Sequence, residues 1–333
     1  MTIGAHRLEY EVLEGWERLP EGWSFVEVAG VAVDSQDRVY VFNRGDHPVI
    51  VFDKDGRFLD AWGEGVFTSA HGIFIDRHDH VYCADNLDHT VRKFTTEGSH
   101  LMTLGEPNQP AETGFREGAS PVQYSGGPFN RVTNVAVTAN GDMFIADGYG
   151  NARIHHFTAE GKLVTSWGAP GQGHGQFNLP HGIAVDNSGR VFVADRENSR
   201  IQIFDGEGNF LRCWDWVNRP DDLFIDEQEN LFIAELGWSV PAPAPRPHFP
   251  FMDHPPVGHA PIARVTICDL DGNIQTQIGG ANPVLPGNFI VPHGIWADSR
   301  GDFYVGEVVK ASGAIEHFAP LTCHAFQKFV RAG

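Results

Sequence analysis

The sequence has no run of eighteen apolar residues, so no segment is suited to cross a bilayer as a helix. It also lacks an apolar stretch near its start. MTIGAHRLEYEVLEGWERLPEGW is mixed and polar, which predicts the absence of a secretory signal. Cysteine is scarce: Cys83, Cys213, Cys268 and Cys323 lie far apart and form no CxxC pair. That argues against a disulfide framework or a thiolate metal site and predicts reduced thiols in a cytoplasmic protein. Basic residues are few, 24 Lys and Arg against 43 Asp and Glu, for a formal charge of −19. Nucleic acid and anionic membrane both reward a basic face, so neither is an expected partner and a small-molecule substrate is. No segment keeps a helical apolar period beyond one or two turns, which argues against an α/β fold.

What is present is a repeat. In a chain of 333 residues, 41% of them hydrophobic, short β-rich runs are punctuated by 38 Gly and 21 Pro. Six runs end at Asp34, Asp76, Thr138, Asp186, Asp226 and Asp298. Nine residues after each stands Asn43, Asp85, Asp147, Asp195, Glu235 or Glu307. Each copy reads as a hairpin, and most continue into further strands, as in RIHHFTAEGKLVTSWG. Four strands per copy and six copies predict an all-β, six-bladed β-propeller filling residues 1–333 as a single domain. The blades fall at roughly 28–65, 67–105, 128–168, 177–214, 219–280 and 289–330. Copy spacings of 42, 62, 48, 40 and 72 residues place insertions at 106–127 and 236–261, candidate lids over a site. The C-terminal CHAFQKFV is expected to supply the last strand of copy six, with RLEYEVLEGW pairing nearby to close the ring.

Histidine is the compositional outlier, with 17 residues. Five residues before the aligned position, copies two, four and six carry His71, His181 and His293, in SAHGIFID, LPHGIAVD and VPHGIWAD. Copies one, three and five carry Ala29, Thr133 and Asp221. The first strand of each blade lines the central channel. Alternate blades therefore bring three imidazoles to one level, a tridentate site of the catalytic zinc type, with Fe(II), Mn(II) and Co(II) open. A structural reading of HG as blade consensus leaves the alternation unexplained. His155 and His156, in an alternating strand, predict one solvent-facing ring. His248, His254 and His259 show no metal-ligand spacing. The channel is expected to lack carboxylate and asparagine ligands.

Strand two ends on the face where strand one begins, so the residues after the second aligned position overlook the histidines. These are Arg44, Arg196 and Tyr149. An arginine there can hold a substrate carboxylate, and a tyrosine can serve as a base. Each also has a structural reading: Arg44 paired with Asp46, Arg196 with Glu197 or Asp222, Tyr149 as a stacking residue.

The stretches VAVDSQDRVYVFNRGDH, AHGIFIDRHDHVYCADNLDHTVRKF, FIADGYGNARIHHF and GQFNLPHGIAVDNSGRVFVADRENSRIQIF resemble the NHL-repeat propellers, and within them peptidyl-α-hydroxyglycine α-amidating lyase. The resemblance covers about 28–318. It implies zinc on His71, His181 and His293, Tyr149 as catalytic base, and Arg44 and Arg196 as substrate arginines. It further implies cleavage of a carbinolamide to an amide and an aldehyde acid such as glyoxylate, with the hydroxyl at the zinc and its proton passing to Tyr149. The family's structural calcium would use carbonyls at Val31 and Ile73, but Gly294 stands at its aspartate position, so Ca²⁺ is not expected. The family's disulfide cysteines are replaced by residues such as Gly150, Phe192 and Ile203. A small hydroxyalkyl amide is the expected substrate in place of a peptide. Zinc-dependent hydrolysis or hydration at the same site, and a non-catalytic interaction scaffold, stay open as alternatives.

Overall fold

A computed structural model describes residues 8–117, 121–237, 262–311 and 323–332. The sequence spacing becomes six four-stranded antiparallel sheets. After β1 (Tyr10–Leu13), blade one holds β2 (Val28–Val33), β3 (Val39–Asn43), β4 (Val49–Phe52) and β5 (Phe58–Trp62). Blade two holds β6 (Ala70–Ile75), β7 (Val81–Asp85), β8 (Thr90–Phe94) and β9 (His100–Leu104). Blade three holds β10 (Val132–Val137), β11 (Met143–Asp147), β12 (Arg153–Phe157) and β13 (Leu163–Trp167). Blade four holds β14 (Pro180–Val185), β15 (Val191–Asp195), β16 (Arg200–Phe204) and β17 (Phe210–Trp214). Blade five holds β18 (Pro220–Ile225), β19 (Asn230–Glu235), β20 (Arg264–Asp269) and β21 (Ile274–Ile278). Blade six joins β22 (Pro292–Ala297), β23 (Phe303–Glu307) and β24 (Phe326–Arg331) to β1.

The repeated polar positions build the blades. Asp34, Asp76, Asp186, Asp226 and Asp298 each accept backbone N–H bonds from the residues two and four later, closing the first hairpin turn. The second position acts backwards along the chain. Asn43, Asp85, Asp147, Asp195, Glu235 and Glu307 each accept the backbone N–H of the residue seventeen earlier, in the loop that enters the blade. These side chains are almost fully buried, and the bonds tie each entry loop to its blade.

Apolar side chains of facing sheets fill the space between blades. Between blades three and four, Ala146, Ile154, Phe177, Ile183 and Val191 form one cluster. The six inner strands β2, β6, β10, β14, β18 and β22 touch in a closed ring. The ring is locked by β1, which pairs with β24 from Tyr10↔Arg331 to Leu13↔Lys328, and Tyr10 sits edge-on to Phe303 at 4.8 Å. This joins the N-terminal segment to the last strand, as the sequence predicts, and covers an edge that would otherwise be open. No helix among the described residues is long and apolar enough to cross a membrane. A variant truncated through Leu13 is expected to melt at lower temperature and to self-associate through the bared edge of β24. Thermal unfolding and sedimentation velocity check this.

Candidate metal centre

Pairing between the first two strands slips at one place in every blade. The irregularities lie at Val28/Gly30, Ala70/Ile73, Val132/Asn134, Pro180/Ile183, Pro220/Asp222 and Pro292/Gly294. The residues caught in them include Ala29, His71, Thr133, His181, Asp221 and His293. A bulge of this kind re-aims a side chain, here into the channel.

The alternation of histidines has a physical reason. His71 Nδ1 donates to the carbonyl of Thr133 at 2.7 Å, His181 Nδ1 to that of Asp221 at 2.8 Å, and His293 Nδ1 to that of Ala29 at 2.7 Å. Each ring is therefore held by the equivalent residue of the next blade. A carbonyl can only accept, so Nδ1 carries the proton and Nε2 presents a lone pair. The rings form a near-equilateral triangle with centroids 4.7–4.9 Å apart. The Nε2 atoms of His71 and His293 are buried without a hydrogen-bond partner. Burial is the first cause that holds all three well below the usual histidine range; the charge of Arg196 adds to it at each ring, and that of Arg44 at His71 and His293. Three neutral imidazoles with fixed tautomers and converging ligand atoms fit a divalent cation.

The glycines after the histidines permit this approach. A Cβ on Gly182 would stand 2.6 Å from the Asp221 carbonyl oxygen, and one on Gly72 2.6 Å from that of Thr133. Those are the oxygens that hold the imidazoles.

Tyr149, Arg196 and Arg44 surround the triangle. The Tyr149 hydroxyl lies 3.2 Å from His181 Nε2 and accepts a bond from Arg196 Nη1 at 3.2 Å. Arg196 also binds Glu197 at 2.8 Å and Asp221 at 3.1 Å, so its carboxylate partners are Glu197 and Asp221, not Asp222. Burial alone would push its guanidinium down, but Tyr149, Glu197 and Asp221 outweigh this and keep it cationic. Arg44 donates to the Ala70 carbonyl at 2.8 Å and pairs with Glu27 at 3.4 Å, in place of the Asp46 pairing considered above.

The channel also holds polar side chains that the sequence reading did not place there. Asp221 is fully buried at the level of the histidines, a position visible in the repeat alignment but read only as a gap in the alternation. Below it Asn134 donates to Asp222 at 2.6 Å, and Asp222 accepts the Ile295 and Leu223 amides. Burial pushes the Asp221 carboxyl up to about 6 and that of Asp222 up to about 7. The expectation of a channel without carboxylate or asparagine is therefore corrected: these side chains arrive from blades three and five, which carry no histidine at the aligned channel position. At Gly294 no side-chain oxygen is present, and a Cβ would meet the Gly30 Cα at 2.6 Å.

Two further expectations are corrected or lie elsewhere. His155 is fully buried against Asp147 and His156 is half-buried against Asp142, at 3.2 Å each, so neither ring stands free in solvent. Most of the 236–261 insertion, with His248, His254 and His259, lies outside the described residues. In the 106–127 insertion, Thr113 binds the Gly150 carbonyl and Gly126 binds Asn151, which fixes the loop beside Tyr149. Phe115, Pro121 and Val122 of that loop, with Tyr149, Phe177 and Leu179, line a cavity of about 350 Å³. All four cysteines are free thiols. Gly182→Ala is expected to cost about 1–3 kcal/mol by forcing the Asp221 carbonyl away from His181. It should also weaken metal uptake. Thermal unfolding and metal titration check both.

Comparison with known proteins agrees with this architecture. The NHL repeat family matches residues 177–204, which span most of blade four. Human NHL repeat-containing protein 3 is 29% identical over 335 residues, 96% of this chain and 86% of that protein. The probable peptidyl-α-hydroxyglycine α-amidating lyase of Caenorhabditis elegans is 29% identical over 205 residues, 54% of this chain and 55% of that one. The peptidylglycine α-amidating monooxygenase of Rattus norvegicus is 32% identical over 211 residues, 54% of this chain but only 20% of that protein. Among solved structures, a streptogramin B lyase superposes with a TM-score of 0.58 over 98% of this chain and 99% of its own, at 13% identity, and so supports the fold alone. The chain is an NHL-repeat six-bladed β-propeller, related in sequence to NHL repeat-containing protein 3 and to the peptidyl-α-hydroxyglycine α-amidating lyases.

Proposed function

We propose that the protein is a metal-dependent lyase, with zinc as the expected cation, that cleaves the C–N bond of a small carbinolamide of the N-acyl-α-hydroxyglycine type. The observation that carries this reading is the Tyr149 hydroxyl, 3.2 Å from both His181 Nε2 and Arg196 Nη1 at the mouth of the imidazole triangle. His71, His181 and His293 would hold the cation. It would supply Lewis-acid polarisation of the substrate hydroxyl.

The protein's own groups complete the reaction. Arg44 pairs with the substrate carboxylate and fixes the reacting carbon against the triangle. Tyr149 takes the hydroxyl proton, and the Arg196 N–H stabilises the resulting phenolate. The carbinol oxygen then becomes a carbonyl as the C–N electron pair leaves to nitrogen. Tyr149 returns its proton to that nitrogen, giving an amide and an aldehyde acid. No water is consumed. The acyl portion of the substrate is assigned to the cavity walled by Phe115, Pro121 and Val122, which adjoins Tyr149.

With N-benzoyl-α-hydroxyglycine as substrate, zinc-loaded protein is expected to release glyoxylate and benzamide in equal amounts, with no solvent oxygen in the benzamide. Benzoate in place of benzamide would point to hydrolysis instead. His181→Ala or exhaustive chelation should abolish release. Tyr149→Phe should lower kcat by about 10²–10⁴-fold with zinc still bound, as for loss of a general base. Val122→Trp is expected to raise KM for bulky acyl substrates by about tenfold or more. It should spare the N-acetyl substrate, and steady-state kinetics on the two substrates separate the cases.

A further inference from the structure

Asp221 fills in blade five the position that histidine fills in blades two, four and six, and its side chain is fully buried. Oδ1 accepts the Arg196 guanidinium at 3.1 Å. Oδ2 has no hydrogen-bond partner and lies 3.6 Å from His293 Nε2, which has none either. The donation of His293 Nδ1 to the Ala29 carbonyl leaves Nε2 as a bare lone pair. Two buried acceptors thus face each other with no hydrogen between them. Such an arrangement is costly unless a positive centre stands there. The guanidinium does not fill this role, because Arg196 is engaged with Oδ1, Glu197 and Tyr149.

We propose that Asp221 is a fourth protein ligand to the cation, so that the site is His₃-carboxylate and its chemistry leans toward harder divalent ions than three imidazoles alone would select. This rests on the reading of the triangle as a metal site. The carboxylate halves the charge of a bound dication before substrate arrives. Through Oδ1 it also ties the cation to the arginine that steadies Tyr149.

The test measures Zn²⁺, Mn²⁺ and Co²⁺ affinity by chelator competition in wild type and Asp221→Asn, with the visible spectrum of the Co²⁺ forms. Asparagine keeps the size of the side chain and an oxygen for Arg196. Ligation by Asp221 predicts a 10- to 100-fold loss of affinity, largest for Mn²⁺, and a shifted Co²⁺ d–d spectrum. Equal affinities with unchanged spectra would overturn the proposal while leaving the three-histidine site intact. Wild type that binds none of these ions would overturn the metal reading itself, and this proposal with it. Should the variant fail to fold, the metal-minus-apo infrared difference spectrum of wild type decides: a shifted carboxylate stretch supports ligation, and its absence refutes it.

Discussion

The bond on which this site depends is the one from each histidine Nδ1 to the backbone carbonyl of the next blade. Three such bonds, His71 to Thr133, His181 to Asp221 and His293 to Ala29, set tautomer, ring plane and spacing together. They also couple the site to the ring itself, because donor and acceptor belong to different sheets. Anything that spreads the blades opens the triangle. Closure of the propeller by β1 on β24 is therefore a functional constraint as well as a stabilising one.

This coupling explains features that look unrelated. The bulge at the start of each first strand turns one residue into the channel without breaking the hairpin. Gly72 and Gly182 follow because a side chain there would occupy the space of the accepting carbonyl. The buried acceptors seventeen residues downstream of each entry loop hold the segment from which the bulged strand starts. A preformed ligand set needs this support, since imidazoles on a loose strand would lose affinity to entropy.

Electrostatically the channel is a layered network. Burial, reinforced by Arg44 and Arg196, keeps the imidazoles neutral, while Glu27, Glu197 and Asp221 neutralise the arginines. Tyr149 sits where these layers meet, bonded to Arg196 on one side and facing His181 on the other. Its remaining edge borders the cavity lined by Phe115, Pro121 and Val122. On the proposed reading, proton handling and substrate accommodation share this one side chain.

Periodicity alone determined the all-β class, the six blades, the alternation of His71, His181 and His293, and the face on which Arg44, Tyr149 and Arg196 stand. A repeat with fixed internal spacing maps linearly onto a ring, so equivalent positions must share a height. The roles of the repeated aspartates were not legible, because a turn-closing side chain and a loop-bracing one look alike in a string. Nor was the content of the channel: Asp221, Asp222 and Asn134 belong to copies without a channel histidine, and only the closed ring brings them to the axis. The same holds for the partners of Arg44 and Arg196, which lie across loops and blade borders. The sequence determined which residues recur; the tertiary structure decided which of them meet, because contacts between blades join residues tens to hundreds of positions apart.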